Sequence, residues 1–476
     1  MTVRVRIAPS DTGSIHVGNV RAALFNWLFA RHEGGTFIVR IDDTDVERSD
    51  PAHLEDIVTG LRWLGLDWDE GIGVGGPHGT YKQSDRFDRY REVARSLVEA
   101  GHAYYDNRPA DMLEEFRARA QQEGKHPGTY IRRLEPAVNE GVIRFSVPEG
   151  AAVEFADTIR GAMRFEADSV DDFVILRSNG VPTYHLASTV DDVDYGITHV
   201  IRGEDLLSST PKHMLLARAM GAAPATYAHL PLLFGPDGKK LSKRHGDTSL
   251  AAYREGGYLP EAVFNFLAIL GWSIGDDREI FTVDEAVAAF TLERVSKNPA
   301  VFDTDKLLWM NGEYLRAMPL HDFVVRSRPW VVEAVGRELT DGEWSTFDAI
   351  APLVQERAKL LTEVGPQVIF LFTDALDYDE ASWNKVMTKE GVDEILADAA
   401  ARLRTVEPFE TEPIEASLRA LAEAQGIGAG KAFQPVRVAV TGSSVSPPLF
   451  ESIAALGRDR SVARLESAAE RLVDNA

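Results

Sequence analysis

The sequence has no cysteine among its 476 residues, and this absence limits its chemistry. It excludes disulfide bonds, a catalytic thiol and a cysteine-ligated metal. The sequence also has no apolar run long enough to span a bilayer, and its first residues lack the basic, apolar and cleavable pattern of a signal peptide. We therefore expect a cytoplasmic protein with no membrane partner.

Positive charge is scarce in this chain. Lysine and arginine number 51 against 74 aspartates and glutamates, which gives a formal net charge of -23. Affinity for nucleic acids begins with the neutralisation of phosphates, so this balance argues against a general polyanion binder and by itself favours a metabolic enzyme. A specific RNA binder would need local basic patches and would be sensitive to salt. The length predicts two or more domains, and no internal repeat is visible.

The start of the chain predicts a strand, a turn, a helix and a second strand. Apolar residues alternate from Val3 to Ile7, and helical spacing begins at Val17, which places the start of a helix near His16. Residues 36–41 are β-branched and almost continuously apolar, as in a strand that is covered on both faces. This order is a βαβ unit, in which ligands gather beyond the carboxyl ends of the strands.

Polar side chains are expected at that edge, beside a helix N-terminus that suits phosphate. They are Arg6, Ser10, His16 and Asp42. A plainer interpretation stays open, because Gly18 can serve close helix packing alone and a lone histidine at such a turn is more often a surface or capping residue. The turn by itself does not decide between the two.

A second candidate site is a basic loop far along the chain. Residues 235–246 form a glycine-flanked turn with five basic or potentially basic side chains in the seven positions from Lys239 to His245. Such a loop can close over a polyphosphate and release it, although a lone lysine-rich run is more often a solvated surface loop. Together with the His16 turn, the loop favours phosphate binding.

These two segments resemble the two ATP motifs of class I aminoacyl-tRNA synthetases, in the forms His-Val-Gly-Asn at residues 16–19 and Lys-Leu-Ser-Lys-Arg at residues 240–244. More closely, the chain resembles bacterial glutamyl-tRNA synthetases over essentially its full length. Further blocks carry this resemblance, and they lie at residues 6–10, 23–32, 40–45 and 201–205. Several long blocks in the right order are far more specific than either short motif.

The resemblance implies an α/β fold, a class I synthetase Rossmann-type parallel sheet with an inserted α+β acceptor-binding domain and an all-helical C-terminal anticodon-binding half. The expected boundaries are 1–103 for the first catalytic half, 104–183 for the insertion, 184–255 for the second catalytic half with the basic loop, 256–314 for a helical connecting domain and 315–476 for the anticodon-binding region. Some relatives hold a cysteine-ligated zinc in a stretch that here, at residues 102–133, carries no such ligands. No structural zinc is therefore expected.

The activity that the resemblance implies is ATP-dependent ligation of L-glutamate to the 3′ end of tRNA(Glu), through glutamyl-adenylate and with Mg²⁺ accompanying ATP. His16 and Lys243 are the expected catalytic residues. The expected ATP-binding residues are Pro9, Ser10, His16, Gly18, Asn19, Lys240, Leu241, Ser242, Lys243 and Arg244. The expected glutamate-binding residues are Arg6, Ala8, Ser10, Asp42, Tyr184, Ser188 and Arg202, and Arg357 is the candidate for anticodon contact.

Arg202 illustrates what the residues alone leave open. It ends an apolar strand, where it can pair bidentately with a substrate carboxylate, but a structural bridge to Glu204 or Asp205 is equally compatible with the sequence. Nothing in the sequence requires more than a monomer.

Three positions depart from the family pattern. Asp11 replaces the usual proline and is expected to bring negative charge close to the phosphate site, Asp42 replaces the usual glutamate, and Ser188 replaces a frequent asparagine. Two alternatives therefore stay open. One is an enzyme that also charges tRNA(Gln), and the other is a catalytically weak paralog that acts in regulation or inhibitor resistance.

Overall fold

The computed structural model describes residues 2–125, 128–133, 137–150, 152–166, 169–242, 244, 248–275 and 277–474. The chain divides into two compact units. Unit 1 consists of Met1–Glu255 and Pro260–Leu307, and unit 2 consists of Gly256–Leu259 and Leu308–Ala476.

Unit 1 begins with the predicted βαβ unit, which the structure confirms. Strand β1 (Arg4–Ile7) pairs in parallel with β2 (Thr36–Val39), and helix α1 (Val17–His32) joins them. Strand β3 (Glu70–Gly71) extends the sheet in parallel beyond β2. Most positions of α1 are buried, and its sequence is accordingly apolar on nearly every side.

Two further parallel strands lie beside β1 and belong to a second sheet. Strand β9 (His199–Gly203) pairs in parallel with β10 (Thr226–Leu230). The first residues of β9 and β1 are neighbours, because the backbone N–H of Thr198 donates to the carbonyl oxygen of Arg4 at 2.9 Å. The carboxyl ends of β1, β2, β9 and β10 therefore share one edge, as in a Rossmann-type fold.

A hairpin from the middle of the chain joins this sheet. Strand β6 (Val153–Asp157) pairs antiparallel with β7 (Gly161–Phe165), and Asp157 lies opposite Tyr227 of β10 in a parallel register. The backbone N–H of Thr158 also donates to the Tyr227 carbonyl at 2.9 Å. The end of β6 therefore lies against the start of β10, and the strand order of this second sheet is β7-β6-β10-β9.

The remaining strands of unit 1 form two small sheets. Strands β4 (Ala103–Asp106), β5 (Val142–Phe145) and β8 (Phe173–Leu176) are antiparallel, and β11 (Leu233–Phe234) pairs in parallel with β12 (Ala300–Val301). The other helices of this unit are α2 (Pro51–Trp63), α3 (Phe87–Glu99), α4 (Ala110–Gln122), α5 (Tyr184–Asp194), α6 (Thr210–Ala219), α7 (Leu250–Glu255), α8 (Pro260–Ile269) and α9 (Val283–Ala289).

Unit 2 is helical, and its described residues contain no strand. Its helices are α10 (Thr304–Ala317, most of which belongs here), α11 (Leu320–Val335), α12 (Asp341–Gln355), α13 (Val364–Val368), α14 (Glu380–Val386), α15 (Val392–Leu403), α16 (Thr411–Ala424), α17 (Ala429–Thr441), α18 (Leu449–Leu456) and α19 (Arg458–Asp474). No helix in the described part of the chain is long and apolar enough to cross a membrane.

Candidate active site

A cavity of about 530 Å³ lies in unit 1, at the edge where the parallel strands end. Segments that are distant in sequence form its walls, namely the end of β1 and the turn after it, the start of α1, the end of β9 and the basic loop. Most residues that were predicted to bind ATP or glutamate line it. They are Arg6, Ala8, Pro9, His16, Gly18, Asn19, Asp42, Tyr184, Ser188, Arg202, Lys240 and Leu241.

A few predicted residues are placed elsewhere. Of the described residues, Ser10, Ser242 and Arg244 do not line the cavity. Ser10 is exposed, and its Oγ lies 3.4 Å from the Oγ1 of Thr12. Lys243, the second predicted catalytic residue, lies outside the described residues.

His16 is the N-cap of α1. Its Nδ1 accepts a hydrogen bond from the backbone N–H of Gly18 at 3.0 Å. In the neutral ring the proton is therefore on Nε2, which makes that nitrogen a donor. The capping interpretation is confirmed, and the cap also holds the imidazole at the wall of the cavity.

The backbone at Gly18 lies close to the imidazole of His16. A Cβ atom at this position would lie 3.3 Å from the Nδ1 of His16, which is tighter than an ordinary contact. Since any larger residue would press on the ring that caps α1, glycine leaves the room in which His16 takes its position.

Asp11 does not line the cavity, contrary to the charge expected beside the phosphate site. Its carboxylate accepts a hydrogen bond from the hydroxyl of Ser49 at 2.9 Å, and its carbonyl accepts from the backbone N–H of Asp50 at 3.2 Å. Asp50 caps α2, so the carboxylate of Asp11 lies near the positive end of that helix. The extra charge is therefore directed to α2.

Arg40 is the centre of a buried ion-pair network beneath the cavity. Its side chain is fully buried, and it donates from Nε to Asp42 at 2.7 Å, from Nη1 to Asp192 at 2.9 Å and from Nη2 to the hydroxyl of Ser188 at 3.3 Å. Burial opposes the charge on Arg40, but the surrounding carboxylates outweigh it and raise its pKa. Arg40 thereby holds two predicted glutamate-binding residues in place.

Arg6 meets the cavity with its charge already balanced. It donates from Nε and Nη2 to the two carboxylate oxygens of Asp192 at 3.0 and 3.1 Å. Asp42 lines the same wall, and burial raises its pKa although Arg40 and Arg6 act in the opposite direction. A cationic and an anionic group thus face the cavity side by side, which suits a zwitterionic amino acid.

Arg202 is buried at the end of β9, and its hydrogen-bond partners are neutral groups. Nε donates to His229 at 3.2 Å, Nη1 donates to the Tyr184 hydroxyl at 3.2 Å and lies 3.4 Å from His213 Nδ1. Nη2 donates to the Thr210 hydroxyl at 2.9 Å and to the Leu206 carbonyl at 3.1 Å. Among the described residues, no carboxylate is hydrogen-bonded to this guanidinium.

The bridge from Arg202 to Glu204 or Asp205, left open by the sequence, is therefore wrong. Glu204 pairs with Arg160, and it also accepts the backbone N–H of Leu232 at 2.9 Å. Asp205 lies 3.4 Å from the Nζ of Lys240, at the mouth of the cavity where both side chains are exposed.

Sequence reasoning assigned no role to Arg40, Asp192 and Arg21. Arg21 lines the cavity within α1 and donates from Nη1 to the carbonyl of Leu270 at 3.0 Å, and burial lowers its pKa to about 10. The available signal for Arg40 was a charge that follows an apolar strand, because charged side chains are rarely buried unless paired.

Arg357, the candidate for anticodon contact, is exposed on unit 2. Its Nη1 donates to the carbonyl of Ser446 at 3.1 Å. Arg437 donates to the Ser446 hydroxyl at 2.5 Å and to the Pro447 carbonyl at 2.8 Å, so two guanidinium groups converge on one loop.

In the described ranges, no group of three His, Asp or Glu side chains is placed to hold a metal ion.

The chain matches two families along its length. Residues 2–309 match the family described as tRNA synthetases class I (E and Q), catalytic domain, and residues 322–469 match the anticodon binding domain. Every residue that lines the cavity lies within the first match.

Full-length relatives carry the name glutamate–tRNA ligase. The relative from Moorella thermoacetica is 44% identical over an alignment that covers 99% of both chains. The relative from Streptomyces coelicolor is also 44% identical, with 99% of this chain and 98% of its own covered. A solved glutamate tRNA ligase from Elizabethkingia meningosepticum, in complex with its amino acid, is 34% identical with a TM-score of 0.85, covering 99% of this chain and 100% of that chain.

The motifs, the Rossmann-type sheet and these full-length likenesses agree, so the resemblance inferred from the sequence is confirmed. The chain belongs to the class I tRNA synthetases for E and Q, within the glutamate–tRNA ligase family.

Proposed function

We propose that this chain ligates L-glutamate to the 3′ end of tRNA(Glu) through glutamyl-adenylate, with the consumption of ATP and the release of AMP and pyrophosphate. The observation that carries the proposal is the single cavity in which both ATP motifs meet the predicted glutamate-binding residues. We further propose that the enzyme works in the cytoplasm as a monomer. Neither a tRNA(Gln)-charging enzyme nor a regulatory paralog is favoured by the full-length relatives.

The reaction has two steps. The α-carboxylate of glutamate attacks the α-phosphorus of ATP, and pyrophosphate leaves. A terminal ribose hydroxyl of the tRNA then attacks the acyl carbon, and AMP leaves. Because neither step needs a nucleophile from the enzyme, the protein acts by positioning and by stabilising the charge that develops on the transferring phosphate.

Donors for that charge come from the two ATP motifs. His16 presents an imidazole whose Nδ1 is held by Gly18, which leaves Nε2 as the protonated nitrogen. Lys243 is proposed to supply the second donor, and Lys240 to support the loop. Mg²⁺ would accompany ATP and would offset the negative charge of its phosphates.

Arg202 is the strongest candidate for reading a glutamate carboxylate. A buried guanidinium is costly unless a carboxylate balances it, and the described partners of Arg202 are all neutral. The substrate carboxylate would supply the missing negative charge. Arg6 is proposed to read the other carboxylate and Asp42 the α-ammonium, while Tyr184 and Ser188 shape the pocket.

The tRNA is proposed to contact both units, following the domain division expected from the sequence. Residues 104–183 would bind the acceptor end, and residues 315–476 would bind the anticodon arm, in agreement with the anticodon binding domain match. Arg357 is the proposed anticodon contact. Arg437 joins it because both side chains meet at Ser446.

Glutamate-dependent exchange between ATP and labelled pyrophosphate tests this proposal. It should be run without tRNA, with tRNA(Glu) and with tRNA(Gln), and with glutamine or aspartate replacing glutamate as controls. Exchange that requires glutamate and tRNA(Glu) would support the ligase. Equal exchange with tRNA(Gln) would favour the enzyme that charges both tRNAs, and no exchange under any condition would favour the regulatory paralog.

A further inference from the structure

A buried hydrogen-bond chain connects the β6–β7 hairpin to the cavity. Asp157 ends β6, and its Oδ2 lies 2.6 Å from the Nδ1 of His229 on β10. The other ring nitrogen of His229, Nε2, accepts from the Nε of Arg202 at 3.2 Å. Asp157, His229 and Arg202 are at most 5% exposed, so water does not compete with these bonds.

We propose that Asp157 is a positioning residue that sets, through His229, the orientation of the Arg202 guanidinium and thereby the affinity for glutamate. This inference rests on the proposed role of Arg202 as a reader of a glutamate carboxylate. Asp157 lies outside the cavity and touches no substrate, so its effect must pass through the imidazole.

The tautomer of His229 follows from its neighbours. Arg202 Nε carries a single hydrogen and has no acceptor capacity, so His229 Nε2 must be unprotonated. The hydroxyl of Thr210, which accepts from Arg202 Nη2, also lies 3.1 Å from this nitrogen. The ring proton is therefore on Nδ1 and is donated to Asp157.

The protonation states agree with this assignment. Burial lowers the pKa of His229, and the hydrogen bond to Asp157 opposes that effect without reversing it. Burial acts to raise the pKa of Asp157, but the hydrogen bonds from His229 and the Arg160 backbone outweigh it and lower the pKa. A neutral imidazole thus faces a carboxylate at neutral pH.

The second carboxylate oxygen of Asp157 makes an asparagine substitution informative. Oδ1 accepts the backbone N–H groups of Ile159, Arg160 and His229 at 3.0, 2.8 and 3.3 Å. In Asp157→Asn the amide oxygen is held at this site, so the NH₂ group must face His229 Nδ1. The amide then donates where the carboxylate accepted, and the ring proton moves to Nε2.

That inversion is transmitted to Arg202. A protonated Nε2 would face the N–H of Arg202 Nε, so two donors would oppose each other where a donor and an acceptor lie 3.2 Å apart. The guanidinium must turn to relieve the conflict, and a carboxylate that needs aligned N–H groups loses affinity. ATP makes no use of this alignment.

The test compares Asp157→Asn with wild type in glutamate-dependent exchange. We expect the KM for glutamate to rise about tenfold or more, because misplacement of a binding group by a fraction of an ångström is costly, while the KM for ATP stays within about twofold.

In the His229→Gln background the same change should alter the glutamate KM by less than about twofold, because an amide has no ring tautomer to invert. Nitrogen-15 NMR of labelled histidine should show the His229 proton moving from Nδ1 to Nε2 in Asp157→Asn.

Asp172→Asn is the matched control. Asp172 is also a buried carboxylate of unit 1, but its partners among the described residues are the Tyr104 hydroxyl at 2.9 Å, the Val147 backbone at 2.9 Å and Arg132 at 3.8 Å, none of which lines the cavity. It should lose stability without a change in glutamate KM. If Asp157→Asn does not fold, His229→Leu replaces it, since removal of the acceptor should raise the glutamate KM while His229→Gln preserves it.

Several results would overturn the proposal. One is an unchanged glutamate KM in Asp157→Asn, and another is a His229 proton that stays on Nδ1 in that variant. The proposal also fails if the KM for ATP rises as much as the KM for glutamate, or if Asp172→Asn raises the glutamate KM equally. Arg202→Ala separates this failure from that of the proposed function. If wild type is active and Arg202→Ala leaves the glutamate KM unchanged, the role of Arg202 itself is wrong.

Discussion

At the scale of single residues, two arginines of the same cavity are in opposite electrostatic situations. Arg6 is paired with Asp192, which Arg40 also binds. Arg202 has hydrogen bonds to neutral groups among the described residues. The first arrangement holds Arg6 in position with its charge balanced inside the protein, whereas the second leaves a positive charge that a substrate carboxylate can balance.

Asp42→Asn should weaken glutamate binding specifically. The change removes the carboxylate that is proposed to hold the α-ammonium, so the glutamate KM in pyrophosphate exchange should rise about tenfold, the usual cost of one charged hydrogen bond, while the ATP KM stays constant. Burial raises the pKa of Asp42, so its carboxylate becomes protonated at a higher pH than an exposed aspartate would. As the pH falls, wild type should therefore lose glutamate affinity at this higher pH. Asp45→Asn, in the same segment but exposed, is the control. Equal effects of the two variants would contradict the assignment.

Lys243→Ala should abolish adenylate formation, with a loss of at least about a hundredfold in exchange rate, because one charged donor to the transferring phosphate is removed. Lys239→Ala is the matched control, since Lys239 is an exposed lysine of the same loop and does not line the cavity. Unchanged activity in Lys243→Ala would remove the proposed role of the loop.

At the scale of elements, the N-terminus of α1 connects helix capping with the site. His16 caps the helix through Gly18, and this contact sets both the tautomer and the position of the imidazole. The same few atoms thus stabilise the helix and prepare a donor. A change that leaves the helix intact but moves the ring should therefore affect activity more than stability.

Gly18→Ala makes that change. Its Cβ would lie 3.3 Å from His16 Nδ1, so the ring must shift, and we expect the exchange rate to fall about tenfold or more as the donor is misplaced. Gly13→Ala belongs to the same turn, but its Cβ would meet no atom of the described residues within 4 Å, and it should keep its activity. A Gly18→Ala enzyme as active as Gly13→Ala would mean that the position of His16 does not matter.

The elements also show how far sequence reasoning extends. The βαβ unit was predictable because both periodicities are visible between Val3 and residue 41. The pairing of β6 with β10 was not, because a register of one residue pair leaves no pattern in the sequence. The Arg40–Asp192 contact joins positions 152 residues apart, so only the folded sheet and α5 bring them together.

At the scale of the whole molecule, unit 1 encloses several neutral histidines around Arg202. His213 Nε2 lies 3.2 Å from His185 Nδ1, and His229 Nε2 lies 3.2 Å from Arg202 Nε. Burial is the largest cause that lowers the pKa of each ring, to about 4 for His185. Their neutral state keeps additional positive charge away from the carboxylate site.

Stability should consequently decrease as the pH falls from about 7 to 5. The unfolded chain takes up protons on these histidines near pH 6.5, whereas the folded chain does so only at lower pH, so protonation favours unfolding in that interval. Each such histidine contributes a slope of up to about 1.4 kcal/mol per pH unit. Urea unfolding of unit 1 at pH 7, 6 and 5 measures the slope, and His185→Gln should reduce it. A stability that is constant over this range would contradict the neutral assignment.

The central claim is that the cavity of unit 1 activates glutamate for transfer to tRNA(Glu). The most direct measurement is the attachment of labelled glutamate to tRNA(Glu), compared in wild type, His16→Ala and Arg202→Ala with tRNA(Gln) as the alternative acceptor. We predict ATP-dependent charging of tRNA(Glu) by wild type, with strong loss in both variants. Charging that is absent in wild type, or equal in all three proteins, would contradict the account.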